Sequence, residues 1–215
     1  DTIDMAANLD YTDVIDGGAN GLTGTGDTLK VAIDQNDINF MNVTNVETLS
    51  IDEASTSTNV LGAYFSTSGI TKVNLDPDDV STISAAGTTV GVNYVAGGTV
   101  NEAITAGLGD DTFTFGATGT LDASDVINGG AGDDKIAIAN TADGGVTVTV
   151  DLANVTKVET IATTDADGGD TSSFNADPVT VNLSSVANSA SSFTGTISGA
   201  SITDSKDVFT VNAAS

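Results

Sequence analysis

Short β-type segments of period two, cut apart by Gly, Asp, Asn and Ser and repeated along the chain, constrain this sequence more than any other feature. "TDVIDGGA", Thr12 to Ala19, matches "SDVINGGA", Ser124 to Ala131, at an offset of 112, and "NVTNVETLSI", Asn42 to Ile51, matches "NVTKVETIAT", Asn154 to Thr163, at the same offset. "DTIDMAANLDYTD", Asp1 to Asp13, resembles "DTFTFGATGTLDASD", Asp111 to Asp125, once two inserted residues are allowed. The chain therefore reads as two copies of a unit of roughly 110 residues, 1–105 and 106–215, starting and stopping in mid-unit.

Inside each unit, stretches such as "VTVTVDL", Val146 to Leu152, alternate with period two and end in turn residues. No stretch of eleven or more residues carries helical periodicity with caps, so little helix is expected. Short strands of this kind build a sandwich or a solenoid. A sandwich core is usually anchored by aromatics, and this chain has no Trp, three Tyr and seven Phe. Val, Ile, Thr, Ala and Ser instead suit stacked ladders. The expected fold is all-β: parallel β-roll or β-solenoid turns combined with less regular β layers, because the Gly/Asp turns recur at irregular intervals.

The charge is extreme. Thirty Asp and Glu face five Lys and Arg, with no His, for a net charge of −25, yet 39% of the 215 residues are hydrophobic. That is enough apolar side chain to offset chain entropy, unlike a disordered acidic tail. Carboxylates crowded on one compact body repel one another, and a divalent cation between them relieves the repulsion. The acid is mostly Asp, which suits tight turns and hard-cation coordination. So little positive charge excludes a phosphate-backbone or anionic-membrane partner. No Cys is present for disulfides or thiol chemistry, and no run of 18 apolar residues spans a membrane. The chain begins at Asp1 and reads as processed or cut from something longer.

"GGAGDDKIA", Gly129 to Ala137, fits the frame G-G-x-G-x-D-x-U-x at every fixed position, and "AGLGDDTFT", Ala106 to Thr114, departs from it only at Ala106. Glycines at Gly107, Gly109, Gly130 and Gly132 permit conformations that turn carbonyl oxygens inward. The pairs Asp110/Asp111 and Asp133/Asp134 add carboxylates. Calcium takes six to eight such oxygens, so one turn supplies half a site and a second must stack on it. The Asp pairs lie 23 residues apart, against about 18 for two nine-residue frames. A longer turn at the opposite edge, carrying Asp122 and Asp125, absorbs the excess and is a candidate for its own ion.

These turns resemble the RTX (repeats-in-toxin) calcium-binding proteins, and more closely the bacterial S-layer proteins that carry such repeats; the "VETLSI" and "VETIAT" strands add a weaker likeness to the latter. The resemblance covers about residues 106–137, with a degraded copy near 1–31. It implies a parallel β-roll with calcium between stacked turns, export by a type I system, and folding once external calcium is met. The first copy departs from the frame. "GGANGLTGTGDTLKV" holds an insertion and lacks one residue before Asp27, so Asp10, Asp13 and Asp27 are carried over by repeat equivalence alone.

Other features read more plainly. "DADGGD", with Asp165, Asp167 and Asp170, lacks EF-hand spacing and reads as a solvated loop; "DPDD", with Asp76, Asp78 and Asp79, reads as a turn begun by Pro77. Glu47 and Glu159 occupy equivalent strand starts and read as surface or edge positions. Sequons stand at Asn42, Asn154 and Asn182. Without His or Cys, a P-loop or a paired-carboxylate sugar site, no enzyme is expected. The expected function is an extracellular, calcium-binding structural protein that self-assembles into a surface layer or filament, with a cell-surface polysaccharide as a further candidate partner. The alternatives are the calcium-rigidified stalk or ligand-binding module of an RTX adhesin, and a phage or virion surface component.

Overall fold

A computed structural model describes residues 1–6, 8–19, 26–32, 34–52, 57–78, 80–96, 98, 100–116, 121–140, 148–152, 154–165, 179–182, 196–199 and 209–212. Its backbone winds as a parallel β-solenoid. Nine strands form one sheet, in the order β1 (Thr2–Ala6), β3 (Thr28–Val31), β5 (Thr48–Ile51), β7 (Lys72–Asn74), β9 (Asn93–Val95), β11 (Thr112–Phe115), β13 (Lys135–Asn140), β16 (Thr160–Asp165) and β18 (Thr196–Gly199). A second sheet runs β15 (Val155–Thr156), β12 (Val126–Asn128), β10 (Ala103–Thr105), β8 (Ser81–Ser84) and β6 (Ser57–Val60). Smaller parallel layers pair β2 (Ile15–Asp16) with β4 (Val43–Thr44), and β14 (Val148–Asp151) with β17 (Val179–Asn182) and β19 (Phe209–Asn212). The expected mixture of solenoid turns and less regular layers is what the chain forms.

Register follows from the two-residue period. In the nine-stranded sheet Leu29, Leu49, Val73, Tyr94, Phe113, Ile136 and Ile161 stand opposite one another and are buried. A shift by one residue would expose that whole column, which fixes the pairing. Each buried Leu, Ile or Phe contributes roughly 1.5–3 kcal/mol. The few aromatics are placed in this column: the Tyr94 and Phe113 rings stack with centroids 5.5 Å apart.

The nine-stranded sheet crosses residue 105 without a break, since β9 pairs with β11. The two sequence units are thus successive lengths of one solenoid. Their equivalence is physical: Ile15 pairs with Val43 as Ile127 pairs with Val155, both at the offset of 112 seen in the sequence. Among the described residues the only α-helix is the five-residue α1 (Ala63–Thr67), beside a 3-10 turn at Asp37–Phe40.

Candidate metal site at the stacked glycine turns

The turn before β13 lies directly on the turn before β11. Gly130 (φ +96°) sits so close that a Cβ would meet the Gly107 oxygen at 2.2 Å, and one on Gly132 (φ +136°) would meet the Gly109 oxygen at 2.5 Å. Only glycine combines that approach with that backbone. The Ala131 amide donates to the Gly107 carbonyl at 2.9 Å, and the Asp133 amide to Asp110 Oδ1 at 2.9 Å.

Behind the glycines runs a ladder of carboxylates, each accepting a backbone N–H from the rung below. Asp111 accepts from Val92 N at 2.8 Å, Asp134 from Asp111 N at 2.8 Å, and Glu159 from Asp134 N at 2.8 Å. The first unit repeats the device, with Asp27 accepting from Asp1 N and Glu47 from Asp27 N at 2.6 Å. Glu47 and Glu159, read from sequence as surface or edge positions, are half-buried and exposed respectively, and also serve as acceptors of the ladder. Their shared place in "NVTxVET" was the signal; what it lacked was the partner rung.

Asp111 and Asp134 are both 1% exposed. Burial pushes each up to about 6; amide donors pull the other way, and neighbouring carboxylates add to the rise. Asp111 uses both oxygens, on Val92 N and Gly107 N (3.2 Å). Asp134 does not: its Oδ2 is buried with no partner, as is the Tyr94 hydroxyl. The two groups sense each other, because burial and then the charges of Asp111 and Asp134 drive the Tyr94 hydroxyl upward. Above Gly129, where a side chain would begin, Asp134 Oδ2 and the Lys157 carbonyl oxygen converge; Asp27 Oδ2 and the Asn45 oxygen do the same above Gly17. Lys157 and Asn45 hold the matching left-handed φ of 53° and 54°.

The opposite edge is wired differently. Asp125 accepts from Asp122 N at 2.7 Å and from Glu102 N at 2.9 Å, and Asp122 accepts from Ser124 N at 2.7 Å. Glu102, not singled out in the sequence, is 2% exposed. Burial and then its side-chain hydrogen bond with Asp125 push it up to about 8, and its Oε1 is buried with no partner. In the first unit Asp13 accepts from Asp10 N at 2.8 Å and Asp10 from Thr12 N at 2.7 Å. Thr12 also holds the Asp10 carboxyl below its ordinary value. The sequon residues Asn42 and Asn154 join these edges, donating to the Tyr11 and Ala123 carbonyls at 3.0 and 2.7 Å.

The fit to calcium is therefore uneven. Among the described residues no three acidic side chains gather at one point, so a carboxylate cage does not form. Asp10, Asp13, Asp122 and Asp125 each accept an amide of their own turn. The glycine turns do fit one in part, through the unpartnered Asp134 Oδ2 and stacked carbonyls. Asp110 and Asp133 are exposed on the rim of the same turns. Asp76 accepts from Asp78 N at 2.8 Å, the turn expected around Pro77, while Asp79, Asp167 and Asp170 lie outside the described residues and Asp165 ends β16. No protein-family model, curated protein or solved structure matches this chain.

Proposed function

We propose that the protein is a structural β-solenoid of the cell exterior, that its glycine turns take up calcium, and that copies assemble into a surface layer or filament. The observation that carries the calcium reading is Asp134 Oδ2, a carboxylate oxygen buried without a donor. Such an oxygen costs free energy until a proton or a cation meets it. Asp134, with the Lys157 carbonyl that converges with its Oδ2 above Gly129, is the group that would hold the ion. When bound, calcium supplies positive charge between carboxylates and cross-links successive rungs. Support for a structural role comes from the regular parallel rungs. The RTX and S-layer resemblance of residues 106–137 supports the extracellular setting.

Sedimentation velocity on EGTA-treated protein, with calcium or magnesium added back, tests this reading. Calcium-specific growth of fast-sedimenting species is expected. A calcium-stabilised protein that remains monomeric transfers the reading to an adhesin stalk, and one indifferent to calcium removes the metal from the account.

A further inference from the structure

The lysines are distributed unevenly. Of the five Lys in the sequence, Lys30, Lys72 and Lys135 all sit at outward positions of the nine-stranded sheet, alternating with the buried Leu29, Val73 and Ile136. Lys30 pairs with Asp52. Among the described residues Lys72 and Lys135 have no carboxylate partner, in a chain carrying thirty acids. Their neighbours in the outward column are uncharged: Thr48 and Asn93 beside Lys72, Thr112 and Thr160 beside Lys135. Asp4 and Asp52, which both lie beside Lys30, are the acids on the described part of this face. The remaining described acids belong to the turns and connecting edges, where Asp110 and Asp133 are exposed.

We propose that this outward sheet face is a lateral docking surface for a second copy of the chain, which presents its acidic glycine-turn edge to Lys72 and Lys135. The inference rests on the assembly reading above and adds the surface that performs it. Charge complementarity selects the occupant: Asp52 and Asp4 lie beside Lys30, Lys72 and Lys135 are left without a carboxylate, and the turn edge exposes Asp110 and Asp133. Face and edge are different surfaces, so the contact is heterologous and propagates into an array instead of closing a dimer.

A carbodiimide, which joins lysine amines to carboxylates only where they touch, tests the contact on a mixture of isotopically light and heavy protein in calcium. Mixed light–heavy cross-links from Lys72 or Lys135 to the Asp110 or Asp133 turns are expected, disappearing in high salt. The double variant Lys72→Gln with Lys135→Gln, its fold checked by circular dichroism, should assemble about tenfold more weakly. Assembly of that variant equal to the parent, or cross-links confined to other surfaces, overturns this interface while leaving self-assembly in place. A protein monomeric at every concentration overturns both.

Discussion

Asp134 does two jobs with two oxygens. Oδ1 holds the Asp111 amide and Oδ2 is left without a partner in the interior. Asp134→Asn keeps an acceptor for that amide and removes the charge. Thermal melts at pH 8 should show the metal-free variant at least as stable as the parent, with the calcium-induced rise in Tm lost. Titration gives a second prediction. Asp111 and Asp134 go from an ordinary 3.8 to about 6 and Glu102 from 4.5 to about 8 in the fold. The folded chain thus binds these protons more tightly than the unfolded one, and protonation stabilises it. Their contribution is full below about pH 4 and is lost as pH rises, through about 6 for the aspartates and about 8 for Glu102. Metal-free melts between pH 5 and 9 should therefore fall steadily in Tm. Glu102→Gln should behave like the parent near pH 6 and lose the descent around pH 8; a Tm that rises with pH contradicts the burial of all three groups.

At the scale of elements, each rung is a strand, a turn and a strand whose polar ends are satisfied by the next rung. Gly130→Ala would drive a Cβ against the Gly107 oxygen at a φ of +96°. It should cost about 1–3 kcal/mol, read as a lower urea midpoint with unchanged slope. This turn was legible in the sequence because its glycines and aspartates recur in a fixed frame, and the 112-residue offset announced the repeat of Ile15 and Val43 at Ile127 and Val155. What was not legible depends on contacts between rungs. The α1 segment has Gly62 at its start with no side-chain cap. Its first amides are instead taken by Asp37 of the previous rung, which accepts from Tyr64 N and Phe65 N at 3.2 and 3.0 Å. Local pattern gives no sign of that. The wiring of the opposite edge has the same origin: Asp125 accepts from Asp122 N and from Glu102 N, and Glu102 comes from 23 residues away.

For the whole molecule the governing fact is a net charge of −25, with described acids such as Asp110, Asp111, Asp133 and Asp134 stacked along one turn edge. Repulsion along that edge opposes the fold and opposes assembly, and both ease when protons or cations neutralise it. A solenoid spreads this load rung by rung, so a cation held at one turn stabilises its neighbours through shared interfaces. The most direct measurement of the central claim is differential scanning calorimetry of EGTA-stripped protein at pH 8, repeated with calcium, with magnesium, and with calcium on Asp134→Asn. With calcium near a hundred times its dissociation constant, a stabilisation of about 2.7 kcal/mol should raise Tm by at least about 5 °C, without a matching magnesium effect and without response in the variant. An unchanged Tm in calcium, or an equal rise in Asp134→Asn, would contradict calcium uptake at the stacked glycine turns.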